Sequence, residues 1–354
     1  MSTQVFTYDK PFLLESGTVL SSYHLAYTTY GQLDANGSNV VWIFHALTAN
    51  SDPAEWWPGL VGEGKLFDPA QYFIVCVNMP GSCYGSIGPL DINPETGEAW
   101  FHDFPFFTTR DMIRAYQPLR QFLSIQKIHI GIGGSMGGQQ LLEWAVEEPE
   151  LFTYVMPLAT NVQHSPWGIA FNAAQRMAIE ADTSWQQRQP QAGLAGMRAA
   201  RSVALLSYRH YLAYGDSQAD EGDGLLQDYR AESYQRYQGE KLVRRFNAFS
   251  YYFLSKGMDA HHIGRNRGGI EKAIKAIKAQ VLTIGIQTDM LFPVNEQEWI
   301  AAHVAHGRLQ IIESPYGHDG FLVEYAAIEN IITRFLAATG QDIRVAADYN
   351  GQHG

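Results

Sequence analysis

Gly133-Gly134-Ser135-Met136-Gly137-Gly138 sits directly between an apolar run, Ile128-His129-Ile130-Gly131-Ile132, and a helical run, Gln140-Leu141-Leu142-Glu143-Trp144-Ala145. A Gly-x-Ser-x-Gly between strand and helix is a nucleophile elbow. The sharp turn forces the serine into a strained backbone, so its neighbours must be small enough for chain segments to pass closely. The turn lifts the Ser135 hydroxyl above the sheet and sets it at a helix N-terminus. There the Met136 amide is placed to stabilise an oxyanion as negative charge develops in acyl transfer.

Outward from the elbow, Val40-Val41-Trp42-Ile43-Phe44 and Tyr72-Phe73-Ile74-Val75-Cys76-Val77 also read as strands buried on both faces. After the second run, Met112, Ile113, Tyr116, Leu119, Phe122 and Leu123 recur at helical spacing, with Thr108 or Thr109 as the cap. The alternation resumes with a strand at Val281-Leu282-Thr283-Ile284-Gly285-Ile286 and a helix over roughly 293–304. A strand at Leu309-Gln310-Ile311-Ile312 and a closing helix over 319–337 complete it. Such alternation predicts an α/β fold with a mostly parallel central sheet flanked by helices. Residues 161–279 differ, with more Gln, Ala, Arg and Tyr, helical periodicity and no convincing buried strand. The expectation is a core of 1–160 and 280–354 interrupted by an inserted helical cap, 161–279.

Hydrophobic residues at 46%, aromatics at 13% and charged residues at 17% exclude a disordered chain, which would be aromatic-poor and charge-rich. The net charge of −11 gives no global reason to approach nucleic acid or an anionic membrane. Any anionic substrate must therefore meet local donors. Cys76 and Cys83 are too few for a disulfide framework, so a cytoplasmic setting is expected. The first residues show no basic segment followed by an apolar one, and nowhere do about 18 apolar residues run together. Neither export by such a signal nor a membrane span is expected.

In an α/β-hydrolase fold, an acid and a histidine follow the serine, each at the end of a later strand. Asp289 lies just past the strand ending at Ile286, and His318 lies past the next, in Ser314-Pro315-Tyr316-Gly317-His318-Asp319-Gly320. A neutral imidazole takes the serine proton while an aspartate fixes its tautomer, so Ser135, Asp289 and His318 form the predicted triad. The second oxyanion donor should come from the loop His45-Ala46-Leu47-Thr48-Ala49-Asn50, and the backbone amide of Leu47 is the choice.

Other residues are weighed against plainer roles. Asp319 suits a cap of the closing helix, and beside the base it would also face the pocket. His261-His262 lack a partner at ligand spacing, and the loop Asp216–Gly224 lacks a Glu at the twelfth position, where Gln227 sits. Neither makes a metal site, and none is expected. Cys83 has no adjacent base in sequence and reads as a loop-packing residue. No phosphate-binding or dinucleotide fingerprint competes.

Several stretches together are specific: His45-Ala46-Leu47-Thr48, the segment from Asn78 to Pro89 around Cys83-Tyr84-Gly85-Ser86, Ile92-Asn93-Pro94-Glu95-Thr96-Gly97, Phe104-Pro105 followed by Thr109-Arg110-Asp111-Met112, the elbow running into Glu143-Trp144, and Gly317-His318-Asp319. With these, the chain resembles the homoserine O-acetyltransferase family of α/β-hydrolase-fold enzymes in methionine biosynthesis. The resemblance implies a two-step transfer: Ser135 takes the acetyl group of acetyl-CoA and the hydroxyl of L-homoserine then receives it. It implies acetyl-CoA as a co-substrate with no tightly held cofactor. It also implies a cap arginine, here Arg201, for the substrate carboxylate, and Asp319 for the substrate ammonium. Arg198, one helical turn away, could exchange roles with Arg201. Arg176, Arg265 and Arg267 are candidates for the CoA phosphates, and a homodimer is implied by the family's habit.

The family's usual Thr-Gly-Asn reads Thr48-Ala49-Asn50 here, and Ile87 and Leu90-Asp91 depart near the expected acyl entrance. Relatives of this fold use succinyl-CoA, serine or larger alcohols, and others are serine esterases, so these readings stand beside the first. A non-catalytic receptor of the same fold is argued against by the intact Ser135, Asp289 and His318.

Overall fold

The computed structural model describes residues 3–339. The last part of the expected core, 340–354, and its first two residues lie outside the described residues.

Among the described residues eight strands form one sheet. The strands of the chain are β1 (Gln4–Tyr8), β2 (Phe12–Leu13), β3 (Val19–Leu20), β4 (Tyr23–Tyr30), β5 (Val40–Phe44), β6 (Phe73–Val77), β7 (Ile128–Gly134), β8 (Phe152–Leu158), β9 (Gln280–Ile286) and β10 (Gly307–Ile312). The large sheet runs β1-β4-β6-β5-β7-β8-β9-β10, while β2 and β3 pair apart. Within the large sheet β1, β4 and β6 are joined antiparallel and every other pair is parallel, while β2 and β3 are antiparallel. Strands β1, β4 and β8 add to those expected from sequence.

Helices cover both faces: α1 (Pro53–Trp56), α2 (Thr109–Phe122), α3 (Met136–Glu147), α4 (Pro166–Glu180), α5 (Leu194–Tyr208), α6 (Tyr211–Gln218), α7 (Arg230–Val243), α8 (Ala248–Asp259), α9 (Ile270–Ile274), α10 (Val294–His303), α11 (Gly320–Val323) and α12 (Tyr325–Ala338). Thr108 caps α2 in a reciprocal box with Asp111. Because successive side chains of a strand point to opposite faces, Val40, Trp42 and Phe44 join one core while Val41 and Ile43 join the other. The first core runs on into the helices between β8 and β9, where Ile179, Trp185, Ala200 and Phe249 are buried. The second lies under α12.

The closing helix expected over 319–337 is broken. A tight turn at Gly317–Asp319 leads into α11, and Glu324 leaves helical geometry at φ −83°, ψ 52° before α12 begins. Both contacts that hold α11 fall on Phe321: Trp57 Nε1 donates to its carbonyl at 2.9 Å, and its buried ring packs edge-on against His318 at 5.2 Å. Among the described residues no helix is long and apolar enough to cross a membrane.

Candidate active site

Ser135 stands at the end of β7 in the N-cap position of α3, at φ 56° and ψ −127°. A non-glycine residue there carries strain of about 1–3 kcal/mol, which its surroundings must hold. Ser135 N donates to Leu158 O at 3.0 Å, and Thr160 Oγ1 donates to Ser135 O at 2.7 Å. Close passage is met at Gly137, where an added Cβ would lie 2.2 Å from Phe44 O. The small residues of the elbow are thus a packing requirement of the turn.

Asp289 follows β9 in a tight loop that points its carboxylate inward. Oδ1 accepts the Leu291 and Phe292 amides at 2.8 and 2.9 Å, leaving Oδ2 for His318 Nδ1 at 2.6 Å. A carboxylate only accepts, so Nδ1 carries the imidazole proton and Nε2 is left with a lone pair. The ring is fixed by Phe292, stacked at 5.1 Å, and by Phe321. Both Asp289 and His318 are buried.

A narrow cavity of about 70 Å³ brings Ser135, His318 and Asp319 together with Ala46, Leu47 and Thr48 and with Arg201 and Tyr208 of α5. No hydrogen bond joins Ser135 Oγ to His318 among the described residues; the two meet as walls of this cavity. Larger hollows, of about 340 Å³ beside Glu296 and about 440 Å³ beside Arg114, contain none of Ser135, Asp289 and His318. Chemistry therefore locates the site better than volume does.

The loop that follows β5 is held by His45. Met79 N donates to His45 Nε2 at 3.1 Å, so Nδ1 bears the proton and donates to Ala46 O at 2.8 Å. Burial pushes this imidazole down to about 4, which keeps it neutral. Arg245 Nη1 donates to Thr48 O at 2.5 Å from the insertion side. Leu47 lines the cavity, and Met136 opens α3, where a first-turn amide has no partner within the helix.

Arg201 and Arg198 separate cleanly. Arg201 lines the cavity with its guanidinium 5.4 Å from the Tyr208 ring, whereas Arg198 pairs with Glu240 at 2.9 Å and is half-exposed. Asp319 does not cap α11 with its side chain. Its Oδ2 instead lies 2.7 Å from Arg209 Nε. Sequence reasoning missed Tyr208 and Arg209. Tyr208 was within reach, because seven residues after Arg201 returns to the same helix face.

The three arginines considered for CoA phosphates are not brought to the cavity. Arg176 pairs with Asp259 at 2.6 Å, Arg265 with Glu15 at 2.9 Å and Arg267 with Glu143 at 2.7 Å. Ile87 and Asp91, expected near the acyl entrance, line a separate hollow with Tyr23 and His24. Cys83 packs with Sγ 3.5 Å from Arg245 O, and burial pushes its thiol up to about 11. His261 is enclosed by Thr109 and Asn161 O at 2.9 and 3.1 Å. Among the described residues no group of three His, Cys, Asp or Glu side chains is placed to hold a metal.

The family model for the alpha/beta hydrolase fold matches residues 39–325. A homoserine O-acetyltransferase of Cyclobacterium marinum is 48% identical over 335 residues, 95% of each chain. That extent of identity decides the family. The chain belongs to the homoserine O-acetyltransferases. A second member, from Chlorobaculum parvum, is 43% identical over 94% of both chains. The crystal structure of a homoserine O-acetyltransferase from Bacillus anthracis superposes with a TM-score of 0.86, covering 98% of this chain and 99% of that one, at 24% identity. At that identity the likeness speaks for the shared α/β-hydrolase fold.

Proposed function

We propose that this homoserine O-acetyltransferase family member transfers the acetyl group of acetyl-CoA to the hydroxyl of L-homoserine through an acetyl-Ser135 intermediate, in methionine biosynthesis. The observation that carries the reading is the cavity itself, where a serine and a histidine–aspartate pair face an arginine and an aspartate. Ser135 Oγ attacks the thioester carbonyl as His318 Nε2 takes its proton. The Leu47 and Met136 amides receive the oxyanion. Collapse breaks the C–S bond, and the imidazolium returns its proton to the CoA thiolate.

L-Homoserine then enters with its carboxylate on Arg201 and its ammonium on Asp319. His318 removes the hydroxyl proton, the oxygen attacks the acetyl carbon, and Ser135 leaves as the proton comes back to it. Asp289 orients the imidazole throughout. Acetyl-CoA is a co-substrate in this scheme and no other cofactor takes part.

In the same reading, 1–160 and 280–354 form the catalytic core and 161–279 form the cap, which supplies Arg201. A cytoplasmic homodimer completes it, supported by the exposed Tyr211, Leu212 and Leu226 of the insertion. The test is CoA release from acetyl-CoA with and without L-homoserine, alongside intact-protein mass spectrometry. Wild-type protein should form an acetyl adduct that L-homoserine discharges, and Ser135→Ala should form none. CoA release indifferent to L-homoserine would instead indicate an esterase, and an adduct on Ser135→Ala would refute the nucleophile.

A further inference from the structure

Asp319 is asked to receive an ammonium group, yet its environment opposes the charge it needs. The side chain is 15% exposed, and burial pushes its carboxyl above the ordinary aspartate range. The guanidinium of Arg209 opposes that push most, ahead of Arg201 and His318. Arg209 Nε lies 2.7 Å from Oδ2 as an ion pair without hydrogen-bond geometry, and among the described residues no side-chain hydrogen bond reaches Oδ1. A carboxylate has room for both cations, since its two oxygens offer about four acceptor sites.

Arg209 is itself fixed twice. Its amide donates to Leu205 O at 3.0 Å, ending α5, and its backbone abuts the turn before the histidine. An added Cβ on Gly317 would lie 3.1 Å from Arg209 C and 2.9 Å from Tyr208 O. The guanidinium is thus registered against the turn that carries both His318 and Asp319. It is not among the cavity walls, so any influence on substrate passes through Asp319.

We propose that Arg209 is a positioning residue that sets selectivity for an amino-bearing acceptor, by holding the Asp319 carboxylate with Oδ1 turned to the substrate. The inference rests on the acetyl-transfer reading above, and it concerns only the second half of the reaction. It adds a determinant outside the cavity to those that touch the acceptor.

The experiment is a competition between L-homoserine and γ-hydroxybutyrate, which lacks the ammonium, for one pool of acetyl-enzyme. The product ratio reads acceptor choice alone, because the acetylation step is common to both. In Arg209→Gln the preference for L-homoserine should fall roughly tenfold or more, the size given by removing an opposite charge close to a carboxylate. Arg209→Lys, which keeps a cation, should retain most of the preference and provides the test if the Gln variant folds poorly. An unchanged ratio in both variants, with the two acceptors losing rate in parallel, overturns the inference while leaving acetyl transfer intact. Failure of wild-type protein to acetylate L-homoserine overturns the underlying reading, and this inference with it.

Discussion

Gly317 shows how one residue joins the insertion to the catalytic turn. Its φ of 63° lies in the left-handed region, and a Cβ there would sit 2.9 Å from His210 N. Both terms act against any side chain: the conformation costs about 1 kcal/mol and the contact forces the backbones apart. Gly317→Ala should lower stability by about 1–3 kcal/mol and kcat by roughly tenfold or more, because His318 is the next residue. Thermal melting and steady-state rates check it; wild-type values for both would mean that the turn shifts without consequence. At this scale the meeting of Ser135 with the His318–Asp289 pair was legible, since a serine elbow and two strand ends imply their own geometry. The Arg209–Asp319 pair was not, because neither position carries a local pattern that names its partner.

Helix α10 places a second carboxylate within electrostatic reach of Asp289. Glu296, in its first turn, accepts from Asn161 Nδ2 at both oxygens, 3.2 and 3.1 Å. A helix N-terminus favours an ionised carboxylate by about 0.3–1 kcal/mol. Burial, helped by the charge of Asp289, outweighs that and pushes Glu296 from its ordinary 4.5 up to about 7. His164, in the same hollow, stays neutral, as burial takes it down to about 4. Between 4.5 and about 7 the folded chain therefore holds a proton that the unfolded chain has released. Stability must fall as pH rises through that window. Glu296→Gln should remove this loss, on the order of 2–3 kcal/mol, so urea unfolding at about pH 5 and about pH 8 should differ less than in wild type. An unchanged pH slope would show that Glu296 ionises as if exposed.

Elements differed in how plainly the sequence announced them. Strands β5, β6 and β7 are buried on both faces and read as apolar runs, and Thr108 announced α2. Strand β4, Tyr-His-Leu-Ala-Tyr-Thr-Thr-Tyr, mixes polar residues with apolar ones, and its burial arises from pairing between β1 and β6. The break at Glu324 has no glycine or proline to mark it, and tertiary anchors on Phe321 and His318 decide it.

Across the molecule, a chain of ion pairs ties the end of the insertion to the core. Glu143 Oε1 meets Arg110 Nε and Arg267 Nη1, each at 2.7 Å, and Glu147 meets Arg114 at 2.7 Å and also Arg267. Glu15, before β3, joins through Arg110 and Arg265, both at 2.9 Å. Glu143 is 1% exposed, and removing it leaves Arg110 with Glu15 and Arg267 with Glu147 as their remaining carboxylate partners. Glu143→Ala should cost about 1–3 kcal/mol, against a smaller loss for Glu143→Gln, because each arginine keeps a second carboxylate. Denaturant titration checks this, and near-neutral behaviour of the Ala variant would mean that water reaches the arginines.

Sheet order bears on how such a protein is made. Strand β9 docks beside β8 only after the whole helical insertion has been synthesised, and β10 docks beside β9 after that. A nascent chain leaving the ribosome carries its nucleophile early and its acid and base last. Under the assigned roles it stays chemically silent toward acyl thioesters until those final strands are seated. Acyl turnover in a translation reaction would then report completion of the sheet, not the mere appearance of Ser135.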